Sequence, residues 1–145
     1  MSHPITRRRA QVALAVLAFL TPSCSRETRP QLCPVRGTVT VQKKPAAKAV
    51  VVLRPVTPGP LKELMPHGEV GPDGTFRVGT YADNDGAPAG DYTVTITWPE
   101  SRTDPKTGDE VNGDRLQGRF GDPAKSPWKV TIKAGDNELE PFRLD

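Results

Sequence analysis

Residues 91–98 (DYTVTITW) alternate without a break: Tyr92, Val94, Ile96 and Trp98 fall on one side, Thr93, Thr95 and Thr97 on the other. A period of two belongs to a β-strand with one buried face, because successive side chains point to opposite faces of a pleated sheet. The same period recurs along the chain. Residues 35–41 (VRGTVTV) put Val35, Gly37, Val39 and Val41 together, and residues 49–55 (AVVVLRP) read as a more apolar, more central strand. In residues 75–80 Phe76 and Val78 point inward; in residues 126–133 Trp128, Val130 and Ile132 do. Residues 138–144 close the series with Phe142 and Leu144 as anchors, and Pro141, which lacks an N–H, suits an edge or a bulge.

Turns separate these segments. The chain holds 13 Gly and 16 Pro, which break helix interiors and exclude a helical bundle. Residues 42–47, 57–60 (TPGP), 71–74 (GPDG), 83–90 and 135–137 all carry turn chemistry. Residues 61–70 fit an irregular edge strand or a helical turn. Residues 99–125 have little apolar content and read as a long loop with a short element near residues 115–120; a loop of that length is a functional surface or partly disordered. Six or seven short strands in roughly 110 residues would leave a wet apolar face as one flat sheet. Two sheets face to face bury both faces. The expected fold is therefore an all-β, seven-stranded sandwich with Greek-key connections. Trp98 and Trp128 are large enough to bridge its layers, each burying about 200 Å².

Before the first strand the chain has a different character. Arg7, Arg8 and Arg9 precede a nine-residue apolar run, residues 12–20. That run is too short to span a bilayer, which takes about 20 residues. Residues 1–23 read as an export signal, residues 24–34 as a polar tether and residues 35–145 as the domain. Cys24, after Thr21-Pro22-Ser23, resembles the lipid-carrying cysteine of a bacterial lipobox, although that pattern has Leu where Thr21 stands. The resemblance implies a lipid anchor on the cell membrane or outer membrane, with the domain facing the periplasm or exterior. The alternative is ordinary cleavage nearby, with Cys24 left as a thiol or paired with Cys33. Two cysteines do not make a disulfide scaffold.

The formal charge of +3 resides in that leader. Removing its three arginines from the 20 basic residues leaves 17, matched by 17 acidic ones, so the chain from Cys24 onward is neutral. No basic block there exceeds two residues, and phosphate binding needs a concentrated basic footprint, so no nucleic-acid partner is expected.

Several landmarks coincide with one family. Val35-x-Gly37-x-Val39 opens the first strand, Pro45 precedes Ala49-Val50-Val51-Val52, and Asp73-Gly74-x-Phe76 enters a middle strand. Pro88-Ala89-Gly90-Asp91-Tyr92-x-Val94-x-Ile96 then leads into the cleanest strand. This series resembles the carboxypeptidase regulatory-like family and its transthyretin-like relatives, and the chain from residue 34 is similar to small predicted lipoproteins of planctomycetes. The resemblance implies a prealbumin-like sandwich that serves as an accessory domain. Physical reasoning gives the same structural roles: Gly90 supplies backbone freedom at the loop-to-strand swing, and Tyr92 buries its ring while its hydroxyl finds a partner.

Catalytic chemistry has few carriers. His67 is the one histidine beyond the leader, and no nucleophile motif surrounds it. No catalytic residue, cofactor or enzyme activity is expected. Asp83, Asn84 and Asp85 beside Gly86 form a weak calcium candidate, since hard cations take clustered oxygens, but Asp and Asn are also ordinary turn formers. Asp104, Asp109, Glu110 and Asp114 add carboxylates in the long loop. Asp114 and Arg115 suit structural ion pairs with groups at the base of the long loop; Arg119 and Phe120 suit anchoring it by packing. Tyr81, Arg115, Arg119 and Phe120 form the candidate binding surface for a glycan or peptide. The expected function is a non-enzymatic, envelope-anchored sandwich with a structural or protein-interaction role, its partner an envelope protein or glycan. The alternative is a module that binds carbohydrate, peptide or a small molecule.

Overall fold

The computed structural model describes residues 29–57 and 60–145; the leader, Cys24, the tether up to residue 28, and residues 58–59 lie outside the described residues. The fold is all-β and built of several sheets. In chain order the strands are β1 (Leu32–Cys33), β2 (Val35–Val41), β3 (Lys44–Pro45), β4 (Val50–Pro55), β5 (His67–Glu69), β6 (Thr75–Arg77) and β7 (Ala87–Pro88). Then come β8 (Gly90–Thr97), β9 (Pro99–Thr103), β10 (Glu110–Asp114), β11 (Lys129–Ile132), β12 (Asn137–Glu138) and β13 (Phe142–Arg143). A 3-10 turn, Pro60–Glu63, precedes β5. Residues 61–70 thus hold both a helical turn and an edge strand.

One sheet runs β11-β8-β4-β5, antiparallel throughout. Its central rungs set Val51 opposite Ile96 and Leu53 opposite Val94, all fully buried on one face. The other large sheet is centred on β2. Its one edge takes β6 and β3 antiparallel, and its other edge takes β12 and β13 parallel. Val35, Val39, Phe76 and Phe142 from this sheet join Val51, Leu53, Val94 and Ile96 in one buried cluster. Gly37 makes room for it: a Cβ there would lie 2.7 Å from the Phe76 ring.

A corner joins the two sheets. Arg77 pairs with Arg36 of β2, and the next residue, Val78, still donates its N–H to Val35 O (3.0 Å). Gly79 then exchanges two backbone bonds with His67 of β5, at 2.9 and 2.8 Å. The strand leaves one sheet and enters the other within two residues. Gly68 permits the approach, because a Cβ there would stand 2.2 Å from Arg77 O.

The structure changes three expectations. Residues 99–125 are not a bare loop: β9 and β10 pair over five rungs, from Glu110–Thr103 to Asp114–Pro99, and turns follow. Polar strands with both faces wet show no apolar alternation, so the hairpin leaves no period in hydrophobicity. Thr95, on the outward side of β8, is 2% exposed because the Arg54 side chain crosses it and donates Nε–H to its hydroxyl (3.2 Å). Trp98 and Trp128 are only partly buried. The β4–β8 ladder ends at Val50–Thr97, so Trp98 lies past the last rung, where its Nε1–H donates to Ala47 O (2.8 Å). Trp128 sits between the rings of Phe120 and Phe142, with centroids 4.9 and 5.4 Å away, closing the rim of the core.

Gly90 and Tyr92 stand at the start of β8. Gly90 has φ +153°, a conformation L side chains rarely adopt, as the chain turns from β7 into β8. The buried Tyr92 hydroxyl donates to Pro88 O (2.8 Å) across that turn. Burial, then the nearby Cys33 thiol, pushes the phenol up to about 12. A phenol that resists ionisation in the folded state contributes stability that is complete below its unfolded pKa of about 10 and lost as pH rises through about 12. Tyr92→Phe is therefore expected to cost about 1–2 kcal/mol at pH 7, since Pro88 O loses its donor. It is also expected to flatten the fall in stability above pH 10; urea melts from pH 7 to 11 on both proteins check this.

Candidate functional site

The cleft next to the corner starts from a turn. Residues 79–86 fold back on themselves around Asp85, whose carboxylate accepts the backbone N–H groups of Thr80 (2.6 Å), Tyr81 (3.1 Å) and Ala82 (2.9 Å). Burial pushes the Asp85 carboxyl up, but the three donors outweigh it and hold the group below the usual carboxylate range. The Thr80 hydroxyl donates to Gly86 O (2.6 Å), and Gly86 N–H donates to Val78 O (2.9 Å). With its backbone tied this way, the turn projects Tyr81, Asp83 and Asn84 outward, and Tyr81 is 40% exposed.

Beneath this bow lies a cleft of about 500 Å³. It is lined by Val50 of β4, His67 and Glu69 of β5, Arg77 of β6, and Tyr81 and Asn84 of the turn. His67 Nδ1 donates to Met65 O (3.1 Å), which leaves Nε2 without a partner among the described residues. Glu69 is held by Lys48 Nζ at 2.7 Å, and that carboxylate raises the Lys48 pKa through the hydrogen bond first and charge second. Arg36, opposite Arg77 in the ladder, pairs with Glu138 at 3.0 Å. Arg77 has no carboxylate within salt-bridge distance among the described residues. The Arg29 guanidinium sits 4.8 Å from the Tyr81 ring centroid.

The other three candidate binding residues lie elsewhere. Arg115 stacks on Trp98 (5.0 Å) and approaches Glu100 (3.7 Å). Arg119 lies over Phe120 (5.0 Å) and reaches Asp145 O (3.4 Å), beside the end of β2, where Gln42 N–H meets the Asp145 carboxylate. The Tyr81 turn packs against the beginning of β2, at Cys33 and Val35. Seven strand residues, about 20 Å, separate the two places, so the four residues do not form one surface.

What Arg115, Arg119 and Phe120 do is fasten residues 114–128 along the edge of β8. Arg115 N–H donates to Trp98 O (2.9 Å), Ile96 N–H to Phe120 O (2.9 Å) and Val94 N–H to Trp128 O (3.0 Å). Ser126 Oγ also donates to Val94 O. Asp114 anchors the start of this run: its carboxylate accepts Trp98 N–H (2.8 Å), Leu116 N–H (3.0 Å) and Gly118 N–H (3.0 Å). Asp114 is thus partnered by backbone donors, while Arg115 finds its acid in Glu100 of β9. The calcium candidates divide similarly: both Asp85 oxygens face backbone donors, while Asp83 and Asn84 are exposed. Among the described residues no three His, Cys, Asp or Glu side chains converge as a metal set.

Sequence reading missed Arg77 and Glu69, and weighed His67 only as a catalyst. The one available signal was a pair of outward arginines, Arg36 and Arg77, on strands whose inward faces are apolar.

No family model matches the chain, and no curated protein matches it in sequence. Among solved structures, the chain is similar to a presumed carbohydrate binding protein from Pseudomonas aeruginosa, at 11% identity and a TM-score of 0.43. That match covers 79% of this chain and 89% of the other. It is also similar to the major pilin subunit of Bacillus cereus, at 17% identity and a TM-score of 0.42, over 78% of this chain and 29% of the pilin. Neither likeness is close enough to bear on the topology or the site.

Asp114→Ala removes the acceptor of three backbone donors and is expected to cost about 1–2 kcal/mol. Amide exchange should quicken in residues 114–121 while the Tyr81 turn stays protected; hydrogen-exchange mass spectrometry reads both regions at once.

Proposed function

We propose that the chain is an exported, membrane-tethered binding module that presents the Tyr81 cleft to the cell envelope and performs no chemistry of its own. The observation that carries this is the division of its polar side chains. Asp73, Asp85, Asp114 and Asn137 are committed to backbone groups of their own turns. Around the cleft, Tyr81, Asn84 and Arg77 are exposed with side chains left over from the fold, and His67 keeps a free ring nitrogen. Surplus polar groups beside an exposed aromatic ring, in a concave place on rigid strands, are what a hydrophilic ligand requires.

The sandwich is of the seven-stranded, Greek-key, prealbumin-like kind found in carboxypeptidase regulatory-like domains. Joining β12 with β13 as one strand interrupted at Pro141 supports this count: β11, β8, β4 and β5 make four, and β6, β2 and the joined strand make three. Lipid on Cys24 gains support from Cys33, which is 3% exposed, inside the core and a free thiol among the described residues.

Two experiments test the reading. Intact mass of the membrane-fraction protein is expected to show a lipid adduct on a chain that starts at Cys24, with adduct and membrane association both lost in Cys24→Ala. A bare soluble chain would overturn the tether. On a glycan array, the chain is expected to be retained, and Tyr81→Ala to lose at least ten-fold in retention with an unchanged melt. Retention that ignores Tyr81 would overturn the cleft.

A further inference from the structure

We propose that the cleft takes a carboxylate-bearing saccharide, a uronic-acid oligomer, with Arg77 receiving the carboxylate and Tyr81 lying against a sugar ring. This rests on the reading of the Tyr81 cleft as the binding site and names its ligand class.

Arg77 is the central observation. It faces Arg36 directly across an antiparallel ladder, an arrangement that like charges disfavour. Glu138 neutralises Arg36 and leaves Arg77 with its guanidinium uncommitted among the described residues. The same side chain borders the main cleft and a small depression of about 60 Å³ that it shares with Arg36, Asn84 and Asn137. A guanidinium offers a planar fork that fits a carboxylate with two parallel hydrogen bonds.

The surrounding charge favours an anion. Arg29 brings a second cation to Tyr81, beside the cleft that Arg77 borders. Of the acids that face the site, Glu69 is held by Lys48. Asp83 on the cleft rim and Asp136 in the small depression oppose the anion and define where it does not sit.

A saccharide fits better than an extended peptide because the seam between β5 and β6 is closed at one end by the two His67–Gly79 backbone bonds, and each of these strands is only three residues long. An edge that short gives a peptide little to extend, so recognition runs through side chains. An exposed tyrosine with arginine, imidazole and amide neighbours supplies a ring platform and donors for hydroxyl and carboxylate oxygens.

The test compares oligogalacturonate with its methyl ester, which keeps the rings and removes the charge, by calorimetric titration of the full chain in 0.15 M salt. Poly-glutamate serves as the peptide anion. The acid is expected to bind at least ten-fold more tightly than the ester. Arg77→Ala should erase that difference, Tyr81→Ala should weaken both sugars, and Asp83→Asn should tighten the acid alone. All three positions are exposed, so the melts should not move. Equal binding of acid and ester, still dependent on Tyr81, would overturn the acidic ligand and leave the cleft. Tighter binding of poly-glutamate than of oligogalacturonate would overturn the saccharide. Binding of neither sugar, acid or ester, would overturn both the inference and the cleft.

Discussion

The corner where residues 75–79 pass from β2 to β5 governs the rest of the molecule. Two reciprocal bonds between His67 and Gly79 lock the edge of one sheet to the edge of the other. The absence of a side chain at Gly68 lets the backbones meet. Closing that edge does two things. It seals one side of the core without a further strand, which removes an edge open to aggregation. It also brings His67 and Glu69 of the β4–β5 ladder and Arg77 of the β2–β6 ladder to one hollow. A sandwich with its sheets held apart at this seam would keep its core but lose the cleft.

The opposite edge is closed by different means. β11 covers only Gly90–Thr93 of β8, and Val94–Trp98 would otherwise present unpaired backbone groups. Residues 114–128 satisfy them through irregular bonds, with Asp114 as the fixed point. The polar residues of this protein thus work first as backbone partners. Asp73, Asp85 and Asp114 lie in turns where their carboxylates meet N–H groups directed into the chain itself. A chain that is neutral from Cys24 onward still concentrates local charge this way, because each committed acid leaves some cation without a partner.

The strands were legible wherever one face is dry. Val35–Val41, Val50–Pro55 and Gly90–Thr97 alternate because their inward residues fill a common core, and their positions follow from periodicity alone. The β9–β10 hairpin was illegible for the same reason reversed: Pro99–Thr103 and Glu110–Asp114 are wet on both faces and hold together by backbone pairing. Thr95 misleads because its burial depends on Arg54 of a neighbouring strand. Of the candidate site, Tyr81 was readable as an aromatic between the strand at residues 75–80 and the turn at residues 83–90. Its partners were not, since His67, Arg77 and Tyr81 meet only through the corner, which no local pattern announces. Arg115, Arg119 and Phe120 resemble a binding surface in sequence because the groups that fasten a loop, arginine over aromatic, are the groups that bind sugars.

The place of Arg29 gives the proposed tether a geometric consequence. Arg29 already lies over Tyr81 at the cleft rim. Five residues separate it in number from Cys24, and a fully extended chain covers at most about 3.6 Å per residue. A lipid on Cys24 would therefore hold the Arg29 backbone within about 20 Å of the bilayer surface, with the cleft rim one arginine side chain further on. A binding site that close to its own membrane meets polymers lying along the envelope before it meets anything free in bulk. Low affinity per site would suffice there, because many tethered copies along one polymer act together and the effective concentration replaces the missing contacts. An open cleft with one aromatic ring and one uncommitted guanidinium is matched to that use: weak as a single site, and selective for charge when repeated.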